Sequence, residues 1–159
     1  MEGSERMKTQ GGYLIARIHQ VGGRLFDRML AEADIDAFNG AQGRILYVLW
    51  QGDGLAISEI GRRTSLANTT LTAMLDRMEA AGLVERQPMP GDRRQSRIVL
   101  TEKARALEAD YTRLSEQMNG IYYQGFSEQE YAELEEYLLR ILKNLEGGMH
   151  HEQGIHSGR

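Results

Sequence analysis

The sequence predicts a mainly α-helical chain carrying one small β-hairpin, an α+β arrangement, and three observations predict it. Behind a run of short polar side chains, Asn68, Thr69, Thr70 and Thr72, the residues Leu71, Leu75 and Met78 recur at helical spacing, and Gly82 is a natural stop. Directly after it, Leu83–Gln87 and Ser96–Leu100 read as two short strands. They enclose Pro88, Met89, Pro90, Gly91, Asp92, Arg93 and Arg94, a turn-rich segment with a basic tip. Long helical stripes flank this centre on both sides.

Residues 1–12 are polar, include Gly3, Gly11 and Gly12, and lack apolar periodicity, which reads as a flexible tail. From Tyr13 to Ala33, the residues Leu14, Ile18, Val21, Leu25 and Met29 fall at steps of four, three, four and four. They predict a long helix with one apolar stripe, in which Gly22 and Gly23 permit either close packing or a bend. Asp34–Phe38 leads to a second helix, capped by Asn39 and running to about Gln51. Its Ile45, Leu46, Val48, Leu49 and Trp50 cover much of the circumference, so it is expected to be buried on more than one side. After the turn Gly52-Asp53-Gly54, Ser58 is the expected cap of a short third helix carrying Ile60 and ending in Arg62 and Arg63. Thr64–Ala67 then turns into the helix of Leu71, Leu75 and Met78.

Helix, tight turn, helix and basic hairpin, over about residues 39–101, outline a winged helix-turn-helix. Such a unit lays its second helix in a major groove, and its hairpin reaches the neighbouring backbone or minor groove. Beyond it, Thr101 is the expected cap of a further helix with Glu102 in its first turn. Leu107, Tyr111, Leu114, Met118 and Ile121 make a narrow seam there. Gly125 and Ser127 interrupt the pattern, and Ser127 with Glu130 forms a capping box for a last helix. Tyr131, Leu134, Leu138, Ile141 and Leu145 repeat the seam on that helix. These seams and the first helix exceed what a winged helix of about 60 residues covers. The stretches 13–33 and 102–146 are therefore expected to be N- and C-terminal dimerisation helices, and 147–159 a second flexible tail.

Composition narrows the function. Hydrophobic residues are 41% of the 159, no apolar run approaches the roughly 20 residues of a spanning helix, and no signal peptide opens the chain, so the expected location is the cytoplasm. The absence of cysteine excludes disulfides, thiolate metal sites, a cysteine nucleophile and thiol redox sensing. The net charge of −4 conceals an uneven distribution: six basic and eight acidic residues in 1–61, nine and five in 62–105, four and ten in 106–159. A basic centre between acidic flanks suits a partner that is a polyanion, here double-stranded DNA. No GxSxG elbow, phosphate-binding GxxxxGK[ST] or HExxH occurs, which argues against an enzyme. His150, His151 and His156 lack a fixed geometry and completing ligands, so neither metal nor cofactor is expected. The acidic run Glu128, Glu130, Glu133, Glu135, Glu136 reads as a solvated helix face.

From about Tyr13 to Leu145 the chain resembles the MarR family of bacterial winged-helix transcriptional regulators. The resemblance is carried by LDRMEAAGLVER, residues 75–86, and by the wing pattern Asp-x-Arg-x-x-Arg followed by apolar residues and Leu-Thr, here Asp92, Arg94, Arg97, Leu100 and Thr101. The family implies a homodimer whose terminal helices pair at the apex of a triangle, with two winged helices at its base. It implies a pseudo-palindromic operator, usually repression, and release by a small, often aromatic, ligand bound between the lobes.

Within that frame Asn68, Thr69, Thr70 and Thr72 are candidates for base contact, an asparagine bonding adenine and threonine methyls touching thymine. The alternative is that Asn68 or Thr69 caps the helix. Where Ala73 stands, family members often carry a long basic or polar residue, which implies less direct base readout here. Arg94 resembles the wing-tip arginine that enters the minor groove. Asp92 is expected to support the hairpin by pairing with Arg97 or Arg94. Arg93, Arg86 and Arg77 are candidates for phosphate contact, Arg77 equally for a helix-surface ion pair, and Arg62 and Arg63 are further phosphate candidates. Tyr13, Arg17, His19, Tyr47 and Trp50 lie where the family's ligand cleft is bordered, with core packing or plain surface as the competing reading. A second function class is a winged-helix protein-interaction module or antirepressor, against which the basic wing with Arg94 and Arg97 argues.

Overall fold

The computed structural model describes residues 8–155, with side chains as far as residue 150. Its helices are α1 Gly11–Glu32, α2 Gly40–Gln51, α3 Ile57–Thr64, α4 Asn68–Ala80, α5 Glu102–Ala106, α6 Glu108–Tyr122 and α7 Glu128–Ile155. The strands β1 Leu55–Ala56, β2 Val84–Met89 and β3 Asp92–Leu100 form one antiparallel sheet in the order β1-β3-β2. The mainly helical winged helix-turn-helix predicted from the sequence is the fold observed. Residues up to Glu116 form one compact unit and those from Gln117 a second.

Local signals set most boundaries. Asn39 caps α2: its side chain accepts from the Gln42 N–H at 2.8 Å, and the Gln42 side chain accepts from the Asn39 N–H at 3.2 Å. Asp27 of α1 adds an acceptor for the Gly40 N–H at 2.8 Å, which ties the two helices where the second begins. Thr101 accepts from Ala104 N–H and caps α5. Ser127 and Glu130 form the expected reciprocal box at α7, both bonds 3.1 Å.

Four expectations are corrected. Ser58 does not cap α3, which starts at Ile57 behind Ala56 with no side-chain cap. Leu55 and Ala56 are drawn into a third strand, pairing Ile98 and Arg97, and the helix follows at once. The helix expected to run on from Glu102 breaks at Leu107. There the Trp50 indole N–H donates to the Ala104 carbonyl at 3.1 Å and the Leu107 N–H takes the same oxygen at 3.2 Å, so an acceptor needed to carry α5 into α6 is occupied. The two tails are shorter than expected: α1 already includes Gly11 and Gly12, and α7 continues through Gly147 and Gly148 to Ile155, since extending a formed helix is easier than nucleating one. The rest of the expected tails, residues 1–7 and 156–159 with His156, and the His151 side chain lie outside the described residues.

The core of the first unit joins Leu30 and Phe38 with Ile45, Leu46 and Leu49 of α2, Ile60 of α3, Leu71, Leu75 and Met78 of α4, and Leu83, Val84, Ile98 and Leu100 of the hairpin. Leu114 is buried in it, and Leu107 and Tyr111 pack against it, so the first half of the expected dimerisation seam belongs to the winged helix. Tyr111 collects four aromatic rings: Trp50 at 5.2 Å, Phe26 at 5.8 Å, Phe38 at 6.0 Å and Tyr47 at 6.1 Å between centroids. Burial raises the pKa of its phenol.

Gly43 makes room for this arrangement. A Cβ there would lie 2.8 Å from Cε2 of Tyr111 and 3.3 Å from Cε2 of Phe38, so the Tyr111 ring would have to shift against its aromatic neighbours. Gly43→Ala is expected to lower stability despite its better helix propensity. Overpacking costs about 1–3 kcal/mol against a propensity gain of about 1 kcal/mol. Chemical denaturation of the variant and the parent checks this, and a more stable variant would show that the ring yields freely.

Candidate nucleic-acid interface

The turn between α3 and α4 is built from its own side chains. Thr64 Oγ1 donates to the Ile60 carbonyl at 2.8 Å and accepts from the Leu66 N–H at 3.4 Å, while Ser65 takes a left-handed φ of 57°. Helix α4 then starts behind Ala67, with no side-chain cap. The capping alternative for Asn68 and Thr69 is therefore not the one taken, and both are exposed with Thr70 and Thr72. Burial of Leu71, Leu75 and Met78 turns Thr69, Thr70 and Thr72 outward, and Asn68 is exposed at the helix start. Ala73 and Arg77 are exposed on the same outward side, and Arg77 has no ion pair among the described residues.

The helix ends in a Schellman motif. Leu83 N–H bonds the Met78 carbonyl at 2.9 Å and Gly82 N–H that of Glu79 at 3.0 Å, which needs the φ of 74° that Gly82 supplies. Lys103 Nζ and the Thr101 hydroxyl reach the Ala81 and Gly82 carbonyls at 3.1 and 2.7 Å, a cation and a donor at the negative end of α4. The chain leaves directly into β2. Its pairing with β3 runs from Val84↔Leu100 to Pro88↔Ser96, followed by an irregularity and the pair Met89↔Asp92. Both strands extend further toward the tip than the sequence indicates, because the pairing continues past Pro88.

At the tip, Asp92 Oδ1 accepts from the Arg94 backbone N–H at 3.0 Å. Asp92 thus shapes the hairpin through the main chain, where the sequence led us to expect an ion pair with Arg97 or Arg94. Arg93 and Arg94 are exposed and their side chains have no ion pair among the described residues. Arg97 turns inward: Nη2 donates to Gln87 Oε1 at 3.1 Å, and its enclosed Nε has no hydrogen-bond partner among the described residues. It is placed inside the wing and away from the expected DNA-facing set.

Other arginines are engaged by carboxylates. Arg86 reaches Asp76 with Nη2 at 2.6 Å and Glu79 with Nη1 at 2.9 Å, and its own N–H bonds Glu79 at 3.2 Å. Arg62 bonds Glu59 with Nε at 3.0 Å and Nη2 at 2.6 Å, and Arg63 bonds the same carboxylate with Nε at 2.9 Å. The hydrogen bonds from Arg62 and then Arg63 hold the Glu59 carboxyl down to about 2. Glu59 escaped the sequence reading although its spacing of three and four from Arg62 and Arg63 was a usable signal. So did Asp53, which accepts from the Leu100 N–H at 2.9 Å and from Arg105 at 3.0 Å. That second role had no signal, since the partners lie far along the chain.

The five cleft candidates do not form one cluster. The Arg17 guanidinium carbon sits 5.8 Å from the Tyr13 ring centroid, on the exposed start of α1, and His19 is exposed nearby on the same helix. Tyr47 is half exposed beside Tyr111, while Trp50 is packed against the core and bonded to Ala104, which favours the packing reading for it.

Comparison with known proteins agrees with this geometry. The regulator TtmR of Methylorubrum extorquens is 37% identical over 99 residues, 62% of this chain, and the match covers about half, 49%, of that protein. The crystal structure of the transcriptional regulator PA3341 superposes with a TM-score of 0.73 at 32% identity, covering 86% of this chain and 98% of that one. A mutant MarR from E. coli, in a crystal structure complexed with operator DNA, gives a TM-score of 0.73 at 28% identity over 82% of this chain and 92% of its own. With the MarR family model matching residues 38–96, the winged helix just described, this chain belongs to the MarR family of transcriptional regulators.

Proposed function

We propose that the protein is a sequence-specific, DNA-binding repressor of the cytoplasm, which binds a pseudo-palindromic operator as a homodimer and is released by a small aromatic or amphipathic ligand. The observation that carries the reading is the exposed, uncapped polar start of α4 beside a wing whose Arg93 and Arg94 have no carboxylate partner among the described residues. Asn68, Thr69, Thr70 and Thr72 then face base edges, Arg94 enters the minor groove, and Arg77 and Arg93 hold phosphates. Arg62 and Arg63 reach phosphate only in competition with Glu59, and Asp92 supports the wing.

The homodimer is supported by apolar side chains left exposed on two helices. On α1 these include Leu14, Ile18 and Val21, and on α7 Leu138, Ile141 and Leu145. Burying such stripes against a second copy satisfies them in a two-fold interface. Tyr13, Arg17, His19 and Tyr47 remain the candidates for a ligand cleft.

Selection of genomic fragments by the purified protein at about 0.15 M salt, where nonspecific phosphate binding is reduced, tests the reading. An inverted repeat with half-sites about one helical turn apart is expected. Enrichment of no sequence would favour the protein-interaction alternative. Arg94→Ala is expected to weaken operator binding by about 1–3 kcal/mol and leave the sedimenting species unchanged. Unaltered affinity would remove Arg94 from the minor groove. Glu59→Gln removes the carboxylate charge bonded by Arg62 and Arg63, so affinity for a scrambled duplex should rise and its dependence on salt steepen by up to about 0.9 in log–log slope per phosphate gained. Because Glu59 titrates at about 2, its carboxylate is fully charged in the neutral range and protonates only as pH falls toward that value. The effect should therefore be equal at about pH 6 and about pH 8.

A further inference from the structure

We infer that Arg86 is a positioning residue, which sets the wing against α4 through Asp76 and Glu79 and so governs discrimination between DNA sequences more than adhesion to DNA. The inference rests on the DNA-binding reading above. Arg86 stands on β2 and grips two carboxylates three residues apart on α4 with both terminal nitrogens and its backbone N–H. Its side chain is 25% exposed, against 62% for Asp76 and 42% for Glu79. The guanidinium is thus lodged between helix and strand, and its bridging donors are directed at protein.

Position along the hairpin gives the grip its leverage. Beyond Arg86 the side-chain bonds among the described residues run within the hairpin, Arg97 to Gln87 and Asp92 to the Arg94 N–H. On the far side, β3 is tied to β1 by only two residue pairs, Leu55↔Ile98 and Ala56↔Arg97. Among the described residues Arg86 is therefore the outermost side-chain hydrogen-bonded link between the base-reading helix and the hairpin that carries the tip. Specific binding requires the start of α4 and Arg94 to engage their grooves together, which demands a fixed relation between them. Nonspecific binding requires only positive charge near phosphates. A phosphate reaching for Arg86 would meet two carboxylates that already hold it, a local sum of one positive and two negative charges.

The test compares the full-length parent, the double variant Asp76→Ala with Glu79→Ala, and Arg86→Lys. Each is titrated against the duplex enriched in the genomic selection and a scrambled duplex of the same composition, over a salt series, with thermal unfolding recorded for each. Removing two carboxylates makes the protein more positive, so affinity for the scrambled duplex should rise. Affinity for the selected duplex should nonetheless fall by about tenfold, within the range of pairwise coupling between contacting residues. If Arg86 were a phosphate contact restrained by its neighbours, both affinities would rise together, and the inference would be overturned. Arg86→Lys keeps the charge but lacks the planar fork that bridges two carboxylates. It should lose preference for the selected duplex with its salt slope unchanged, and a retained preference would equally overturn the inference. A parent protein with no preference between the duplexes would remove the DNA-binding reading itself.

Discussion

Leu71, Leu75 and Met78 are buried with Ile60, Leu83 and Ile98, and the exposure of the α4 side chains proposed to read DNA depends on that burial. Truncating such a residue to alanine removes about 2–5 kcal/mol, more than an exposed polar contact supplies. The apolar stripe therefore decides the rotation of α4 about its own axis. A helix turned by one residue, about 100°, would bury Thr72, Asp76 and Glu79, which the observed rotation keeps exposed. The same stripe ends in the Schellman turn at Gly82, so the direction in which β2 departs is tied to the rotation of the helix.

The aromatic group around Tyr111 does for the other side of the unit what the stripe does for α4. One ring touches Phe26 of α1, Tyr47 and Trp50 of α2, and Phe38 between them, so three helices share a single packing element. Gly43 permits this because any side chain would occupy the space of the ring. Trp50 extends the coupling, since its indole N–H holds the Ala104 carbonyl just where the chain passes from hairpin to α6. The Trp50 ring is thus held by a part-buried hydrogen bond as well as by packing against the core.

What was legible in the sequence is what depends on near neighbours. The stripe of α4, the caps at Asn39, Thr101 and Ser127, and the prolines and glycine of the hairpin all act within about four residues, and each stands where the pattern placed it. Ser58 and the third strand failed together, because two residues of strand carry no alternation and their partner, β3, is distant. The Leu107–Ile121 seam signalled burial correctly for its first half, while Ile121 stays half exposed. Periodicity reports that a face is covered, and the winged helix took Leu107, Tyr111 and Leu114. The arginines were the least legible, since Arg86 and Arg97 are told apart from Arg93 and Arg94 only by which carboxylate or amide the fold brings to them.

That difference changes the meaning of the basic centre. Of the positive charges in residues 62–105, those of Arg62 and Arg63 meet Glu59, that of Arg86 meets Asp76 and Glu79, and that of Arg105 meets Asp53. Exposed pairs of this kind contribute only about 0–1 kcal/mol to stability, so their consequence lies in where the field remains. Among the described residues Arg77, Arg93 and Arg94 keep theirs uncompensated, on the outward side of α4 and at the wing tip. A phosphate approaching Arg94 meets a guanidinium with no ion pair among the described residues, whereas one approaching Arg86 must replace charge-assisted bonds already made. A chain with a net charge of −4 can thus present cationic side chains, because carboxylates engage Arg62, Arg63, Arg86 and Arg105 while Arg77, Arg93 and Arg94 have no ion pair among the described residues.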